Sequence, residues 1–300
     1  MSLISVIIPL YNKEKSIADS MRSVLNQTFK DFELIIVNDG SIDKSLDVVK
    51  SFKDERIRVI DKENEGVSRT RNRGVEEAKS ELIAFLDADD IMYPNCLKNL
   101  VDCRRAYPNC DMWVGKFCFV FNGKVVRSFG RLADGYVKNP HKEWFYENWQ
   151  VRTGNFIMSR NTFLGLGGFP INVTVGEDFL FFDEFLNSYK CAFTSKPTME
   201  YVQETRTLST GGRPIEVTAE YNFDFKRKKF WQRMLYALII IKHLISEVFN
   251  NHSKMILPFL KKYKLWCLFG VFALFVNTPV LFRKLRHGWI VLKISRIHKW

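Results

Sequence analysis

Short apolar runs alternate along the first half of the chain with stretches whose apolar positions recur three and four residues apart. The first run, Ile4-Ser5-Val6-Ile7-Ile8-Pro9, reads as a strand, and Ile17, Met21, Val24 and Leu25 then recur at helical spacing. A second strand, Phe32-Glu33-Leu34-Ile35-Ile36-Val37, runs into Asn38-Asp39-Gly40-Ser41, and Asp43 is placed to cap a helix carrying Leu46, Val49 and Phe52. Residues 56–60 form a third strand, followed by a basic helix with Arg69, Arg71 and Arg73. Leu82-Ile83-Ala84-Phe85-Leu86 is the fourth, and it ends in Asp87-Ala88-Asp89-Asp90. An unbroken apolar run suits a strand covered on both faces, and strands alternating with helices build βαβ units. The expected class is therefore α/β with a largely parallel sheet.

Beyond residue 90 the pattern is less regular. Pro94 suits the first position of a helix carrying Leu97, Leu100 and Val101. Residues 113–121 and 125–129 read as a hairpin turned at Asn122-Gly123. After the aromatic segment Trp144-Phe145-Tyr146 and Trp149 comes a strand over 154–158, then the tight loop 165–170. Gly176-Glu177-Asp178 opens a helix with Phe179, Phe182, Phe185 and Leu186, whose aromatic run is expected to be core. From about residue 218 basic clusters flank long apolar stretches. The expected division is a domain over 1–217 and a basic, apolar helical extension over 218–300.

Charge sharpens that division. The formal net charge is +12, but residues 226–300 hold 16 Lys or Arg and one acid, Glu247, for +15, while the preceding 225 residues sum to −3. A basic surface confined to one end implies an anionic partner there. Its basic residues alternate with long apolar runs rather than with isolated stacking aromatics, which argues for an anionic membrane surface and against nucleic acid. Residues 265–282 carry no formal charge, are interrupted by Asn277-Thr278-Pro279, and sit at the lower length limit for a span. An in-plane element is the expectation, with a dimer interface or a buried helix as the alternative, so homo-oligomerisation stays open. The six cysteines make no Cys-x-x-Cys pair, Cys96 and Cys103 fit a helix face in the core, and residues 1–6 lack the basic start of a signal peptide. Together these favour a reducing cytoplasmic setting at the inner face of the membrane.

Three carboxylates at the C-terminal end of a buried strand carry the candidate chemistry, since open α/β sheets bind ligands there. Packed so closely, Asp87, Asp89 and Asp90 repel one another unless a cation or hydrogen-bond donors stand by. A Mg²⁺ or Mn²⁺ ion shared with substrate phosphates would meet that need, whereas an acidic turn capping the next helix would not require one. No Gly-x-Gly-x-x-Gly and no P-loop lysine follows a strand, which argues against a dinucleotide cofactor or a P-loop ATPase.

In their order and spacing these segments resemble the family 2 glycosyltransferases, over roughly residues 3–210. The carriers are residues 5–14, Val37-Asn38-Asp39-Gly40-Ser41, residues 64–74, Phe85-Leu86-Asp87-Ala88-Asp89-Asp90, Gly167-Gly168-Phe169 and Gly176-Glu177-Asp178. The resemblance implies the GT-A fold, a Rossmann-like mixed sheet. It implies that Pro9, Tyr11 and Glu14 lie against the base and ribose, that Asp39 accepts from uracil, and that Arg71 reaches the base or diphosphate. Asp87 would touch the ribose, Ala88 would line the nucleotide beside it, and Asp89 would bind the metal. Asp178 matches the catalytic base of an inverting member, with Glu177 as the alternative, though both also suit a helix first turn. Where many members carry a histidine that can join the metal this chain has Glu204, whose carboxylate oxygens also suit Mg²⁺ or Mn²⁺.

The resemblance thus implies inverting, metal-dependent transfer from a nucleotide sugar, a UDP-sugar above all, to a hydroxyl. The tail adds a lipid-linked or membrane-proximal glycan as the acceptor, as in cell-surface polysaccharide synthesis. Two rivals are a sugar-phosphate nucleotidylyltransferase and a non-catalytic glycan-binding or scaffold protein. The first lacks its Gly-rich basic loop after strand one, and the second would not need Asp87, Asp89 and Asp178 together.

Overall fold

The structure is a computed structural model that describes residues 2–203, 218–219, 222–226 and 228–249, and a few positions between 260 and 271. The chain divides into two compact units, residues 1–138 with 149–219, and residues 139–148 with 220–300.

The first unit opens with β1 (Ile4–Leu10), α1 (Ile17–Leu25), β2 (Phe32–Asp39), α2 (Ser45–Ser51), β3 (Ile57–Lys62), α3 (Val67–Glu77) and β4 (Leu82–Phe85). Then come β5 (Ile91–Met92), α4 (Cys96–Ala106), β6 (Met112–Phe121), β7 (Lys124–Phe129) and β8 (Gly135–Tyr136). The short α5 (Pro140–Phe145) belongs to the second unit. The first unit resumes with β9 (Phe156–Ser159), α6 (Arg160–Gly165), α7 (Glu177–Ser188) and β10 (Cys191–Gln203), and α8 (Phe230–Phe249) lies in the second.

One sheet runs in the order β3-β2-β1-β4-β9-β6-β10-β5, with β7 beside β6 and β8 beside β10. Its first four strands are parallel, in the register Pro9↔Val37, Ile7↔Phe85 and Val37↔Ile60. Every residue of β1 and β4 is buried, which is why both read as continuous apolar runs. Beyond β4 the sheet turns mixed, because β9 is antiparallel to both β4 and β6, while β10 runs parallel to β6. The mixed α/β architecture expected from the sequence is the one observed. Asn122 and Gly123 at φ 48° and 70° make the tight β6–β7 turn that Asn-Gly favours.

Differences are local. The helix expected from Pro94 starts at Cys96 after Asn95, and α2 starts beyond Lys44. Asp43 still accepts from the Ser45 N–H at 3.0 Å, so its carboxylate serves that helix end from one position earlier. The long β10 carries no alternating pattern to announce it, because it is buried at its start, exposed at Ser195-Lys196-Pro197 and bulged there. Cys96 and Cys103 are buried in the apolar cluster between α4 and the sheet, and the six cysteines are unpaired. Phe182 and Phe185 are fully buried, and Phe85, Phe156, Phe163, Phe169, Phe181 and Phe182 pack ring to ring behind the sheet.

Within the second unit, Trp231 of α8 meets the rings of Phe145 and Tyr146 at 5.7 and 5.6 Å, with the Lys142 ammonium over its face at 5.5 Å. Phe225 stacks on Trp266 at 4.1 Å. Most of residues 265–282 lie outside the described residues. Among the described residues no helix is long and apolar enough to cross a membrane.

Candidate functional site

The parallel strands deliver their polar ends to one edge of the sheet. At the end of β2, Asp39 is buried and accepts from the Glu65 and Gly66 N–H groups at 2.9 and 3.0 Å and from the Lys62 ammonium. Burial alone would raise its carboxyl, but the Lys62, Glu65 and Thr70 donors hold it below the usual range. Gly66 adopts φ 90°, a conformation that a side chain would strain, so the glycine lets this backbone turn its N–H toward Asp39 before α3 begins.

The acidic turn after β4 meets its self-repulsion in three ways. Asp87 accepts from Arg71 Nη2 at 2.8 Å and from Thr153 Oγ1 at 3.0 Å. Asp89 pairs with the Lys13 ammonium, both side chains being about two-fifths exposed. Asp90 is 1% exposed and accepts from the Val202 N–H at 2.8 Å, while its second oxygen has no partner among the described residues. Burial and the neighbouring Asp87 push the Asp90 carboxyl well above its ordinary value, which favours its neutral form.

α3 joins this turn to α7. Gly74 lets the helix lie close on the sheet, since a Cβ there would come within 2.4 Å of Ile7 Cγ2. Three residues earlier, Arg71 is buried with its guanidinium 5.3 Å from the Phe169 ring centroid. Its Nη1 donates to Glu177 Oε1 at 2.8 Å, so one arginine holds Asp87 and the first residue of α7 together. Burial works against the arginine's charge, but Asp87 and Glu177 outweigh it and raise its pKa. Glu177 is also raised, because burial and the adjacent Asp178 outweigh Arg71. The next residue of α3, Asn72, pairs reciprocally with the backbone of Phe169 at 2.8 and 2.9 Å. Asp178 stays half-buried and accepts from the Phe179 N–H at 2.8 Å.

Of the residues singled out from the sequence, Asp39, Arg71, Asp87, Asp89, Glu177 and Asp178 thus gather around α3 and the β4 turn. Pro9 is buried in β1, and Tyr11 just beyond is 47% exposed. Glu14 accepts from the Lys44 N–H at 3.0 Å, at the start of α2. Ala88 is buried and its carbonyl accepts from Ser16 Oγ at 2.8 Å. Glu204 lies outside the described residues.

Two residues of the site were not singled out from the sequence: Lys13, which lies within the segment 5–14 that carries the resemblance, and Thr153, which lies in no such segment. Thr153 is positioned by the fully buried Asn155, whose amide accepts from the Arg152 N–H at 2.8 Å and donates to the Gln150 and Gly115 carbonyls. A buried asparagine folding a loop back beneath the acidic turn becomes visible only once the turn is located.

A hard divalent cation fits this donor set in one way. Among the described residues no group of three His, Cys, Asp or Glu side chains is arranged to hold an ion by itself. Asp87 is committed to Arg71 and Thr153 and Asp90 is buried, which among the described carboxylates of the turn leaves Asp89 as the accessible oxygen donor. That suits Mg²⁺ or Mn²⁺ bound by one carboxylate with substrate phosphates and water completing the shell.

Comparison with known proteins follows the same outline. The profile of glycosyl transferase family 2 matches residues 5–164. The glycosyltransferase GlyG of Streptococcus pneumoniae is 39% identical over 134 residues, covering 41% of this chain and 44% of that protein. YibD of Escherichia coli, an uncharacterised glycosyltransferase, is 28% identical over 226 residues, covering 69% of this chain and 63% of its own length. The chain thus spans less than two thirds of either relative. Among solved structures, residues 1–349 of S. aureus TarS, determined in complex with UDP-GlcNAc, superpose with a TM-score of 0.63 at 23% identity, covering 80% of this chain and 67% of that one.

Proposed function

Because the chain belongs to glycosyl transferase family 2, we propose that it moves a sugar from a nucleotide-linked donor to an acceptor hydroxyl, with inversion at the anomeric carbon. The observation that carries this reading is the Arg71 fork. By gripping Asp87 and Glu177 at 2.8 Å each, it brings the start of α7, and with it Asp178, to the acidic turn where a donor would sit. Glu177 is buried and spends its carboxylate on Arg71, whereas Asp178 is half-buried, so Asp178 is the base and Glu177 its support. Asp178 takes the proton of the acceptor hydroxyl as that oxygen bonds to the anomeric carbon. The bond from that carbon to the diphosphate oxygen breaks, and the nucleoside diphosphate leaves.

UDP is the proposed nucleotide, supported by the UDP-GlcNAc bound to TarS and by the site that Asp39 and Tyr11 offer beyond β1 and β2. Asp39 orients the base, and Pro9, Glu14 and Ala88 shape the wall around base and ribose. Asp89 would hold the cation, which when bound neutralises charge developing on the leaving diphosphate. We propose residues 1–217 as the catalytic part. The charge of +15 over residues 226–300 supports an anionic membrane surface as the partner of the rest, and so a membrane-proximal or lipid-linked glycan as acceptor.

The test is Asp178→Asn in the full chain, assayed by nucleoside diphosphate release from a panel of UDP-sugars. Turnover should fall by roughly 10²–10⁴-fold, the usual worth of a general base, while UDP affinity by calorimetry stays near wild type. Equal losses in both would remove Asp178 from the role of base. A wild-type chain that binds UDP-sugars but releases no UDP would favour a non-catalytic glycan-binding role.

A further inference from the structure

Lys13 has a place in this site that the motif containing it does not explain. Its backbone is pinned on both sides: its N–H donates to Ser45 Oγ at 2.7 Å, and its carbonyl accepts from the Ser16 and Ile17 N–H groups at 3.1 and 3.0 Å. Ser16 in turn donates to the Ala88 carbonyl at 2.8 Å, which ties the start of α1 to the acidic turn. From that base the side chain reaches across 76 residues of sequence to Asp89.

The two cations of the turn are not equivalent. Arg71 is 6% exposed in its side chain and spends one nitrogen on Asp87 and another on Glu177, so its removal would strand two carboxylates. Lys13 and Asp89 are 41% and 42% exposed and each is the other's ionic partner. An exposed pair of this kind is held weakly and exchanges readily. Asp89 is also the accessible oxygen donor for a divalent cation, so ammonium and metal compete for one carboxylate.

We propose that Lys13 is a positioning residue that acts as the resident counter-ion of Asp89, holding the carboxylate in the metal-free protein and yielding it to a divalent cation that arrives with the donor's diphosphate. The inference rests on the reading that Asp89 takes the metal. A metal alone must displace the ammonium from the carboxylate it pairs with. A metal together with a diphosphate brings new anionic oxygens for it, so metal and donor each raise the other's affinity.

Mn²⁺ binding to the full chain, followed by the electron paramagnetic resonance of free Mn²⁺ with and without UDP, tests this without any assay of turnover. Lys13→Met should tighten Mn²⁺ alone by about two- to five-fold, the range an exposed ion pair is worth. The same variant should weaken UDP in the presence of Mn²⁺, and Lys13→Arg should behave like wild type in both. Damage to the fold would weaken Mn²⁺ binding, so tightening is not its signature. Unchanged or weaker binding of Mn²⁺ alone by Lys13→Met would overturn the proposal while leaving the metal reading intact. Asp89→Asn separates the two: it should lose Mn²⁺ in either condition, and full retention would overturn the metal reading itself.

Discussion

The two faces of the acidic turn solve the same electrostatic problem differently. On the inner face, Asp87 meets a buried guanidinium that also holds Glu177, and a threonine hydroxyl takes its other oxygen. On the outer face, Asp89 meets one half-exposed ammonium. The difference lies in solvent access. Removing the cation from the inner face leaves carboxylates that water reaches poorly, whereas on the outer face water replaces what is lost. The inner face is built to stay as it is, and the outer face to exchange its partner.

The comparison is broken most directly by Arg71→Met. With Asp87 and Glu177 left without their shared cation beside Phe169, unfolding free energy should fall by about 3–5 kcal/mol, read from the denaturant midpoint. A loss below about 1 kcal/mol would mean that the inner face behaves like a surface pair. Thr153→Val probes the same face by one hydrogen bond to a charged group and should cost about 1–2 kcal/mol, with no change in helix content by circular dichroism. Lys13→Met on the outer face should shift stability by less than about 1 kcal/mol. A loss as large as that of Arg71→Met would erase the difference between the two faces.

A pair away from the site supplies the smallest effect and a reference for the outer face. Arg56 donates to both oxygens of Asp54, at 2.9 and 2.7 Å, and holds that carboxyl at about 2 against an ordinary 3.8. A lowered folded-state value means that the stabilisation is fully present above 3.8 and is lost as pH falls through 2. Because the pair is a quarter exposed, the loss should stay below about 1 kcal/mol. Asp54→Asn should flatten the acid limb of the stability curve between those values. An unaltered limb would show that Arg56 contributes nothing measurable there.

Much of the parallel half was legible because burial on both faces forces a recognisable composition. Ile4 through Leu10 and Leu82 through Phe85 are buried throughout, and no polar residue beyond Ser5 interrupts them. The Asn-Gly turn was legible because φ above zero at both positions restricts the residues that can serve. β10 was not, since its burial changes along its length with its neighbours β6, β8 and β5, and no single period describes it. Asp87 and Asp89 could be singled out because they cluster at the end of a buried apolar run, whereas Glu177 and Asp178 were marked only by the resemblance to the family.

What the sequence determined by itself was the set of charged groups and the strands that carry them, because apolar periodicity reports local burial. Which cation answers which carboxylate was decided only by the tertiary structure. Arg71, Thr153 and Lys13 lie 16, 66 and 76 residues from the aspartates they meet, and any of several arginines or lysines would have satisfied the sequence pattern equally. The strength of an ion pair depends on distance and on how much water reaches it, and neither quantity is encoded by spacing along the chain. The close approach of α3 at Gly74 and the loop folded by Asn155 create the buried inner face. The pinned turn at Lys13 leaves the outer one open to solvent.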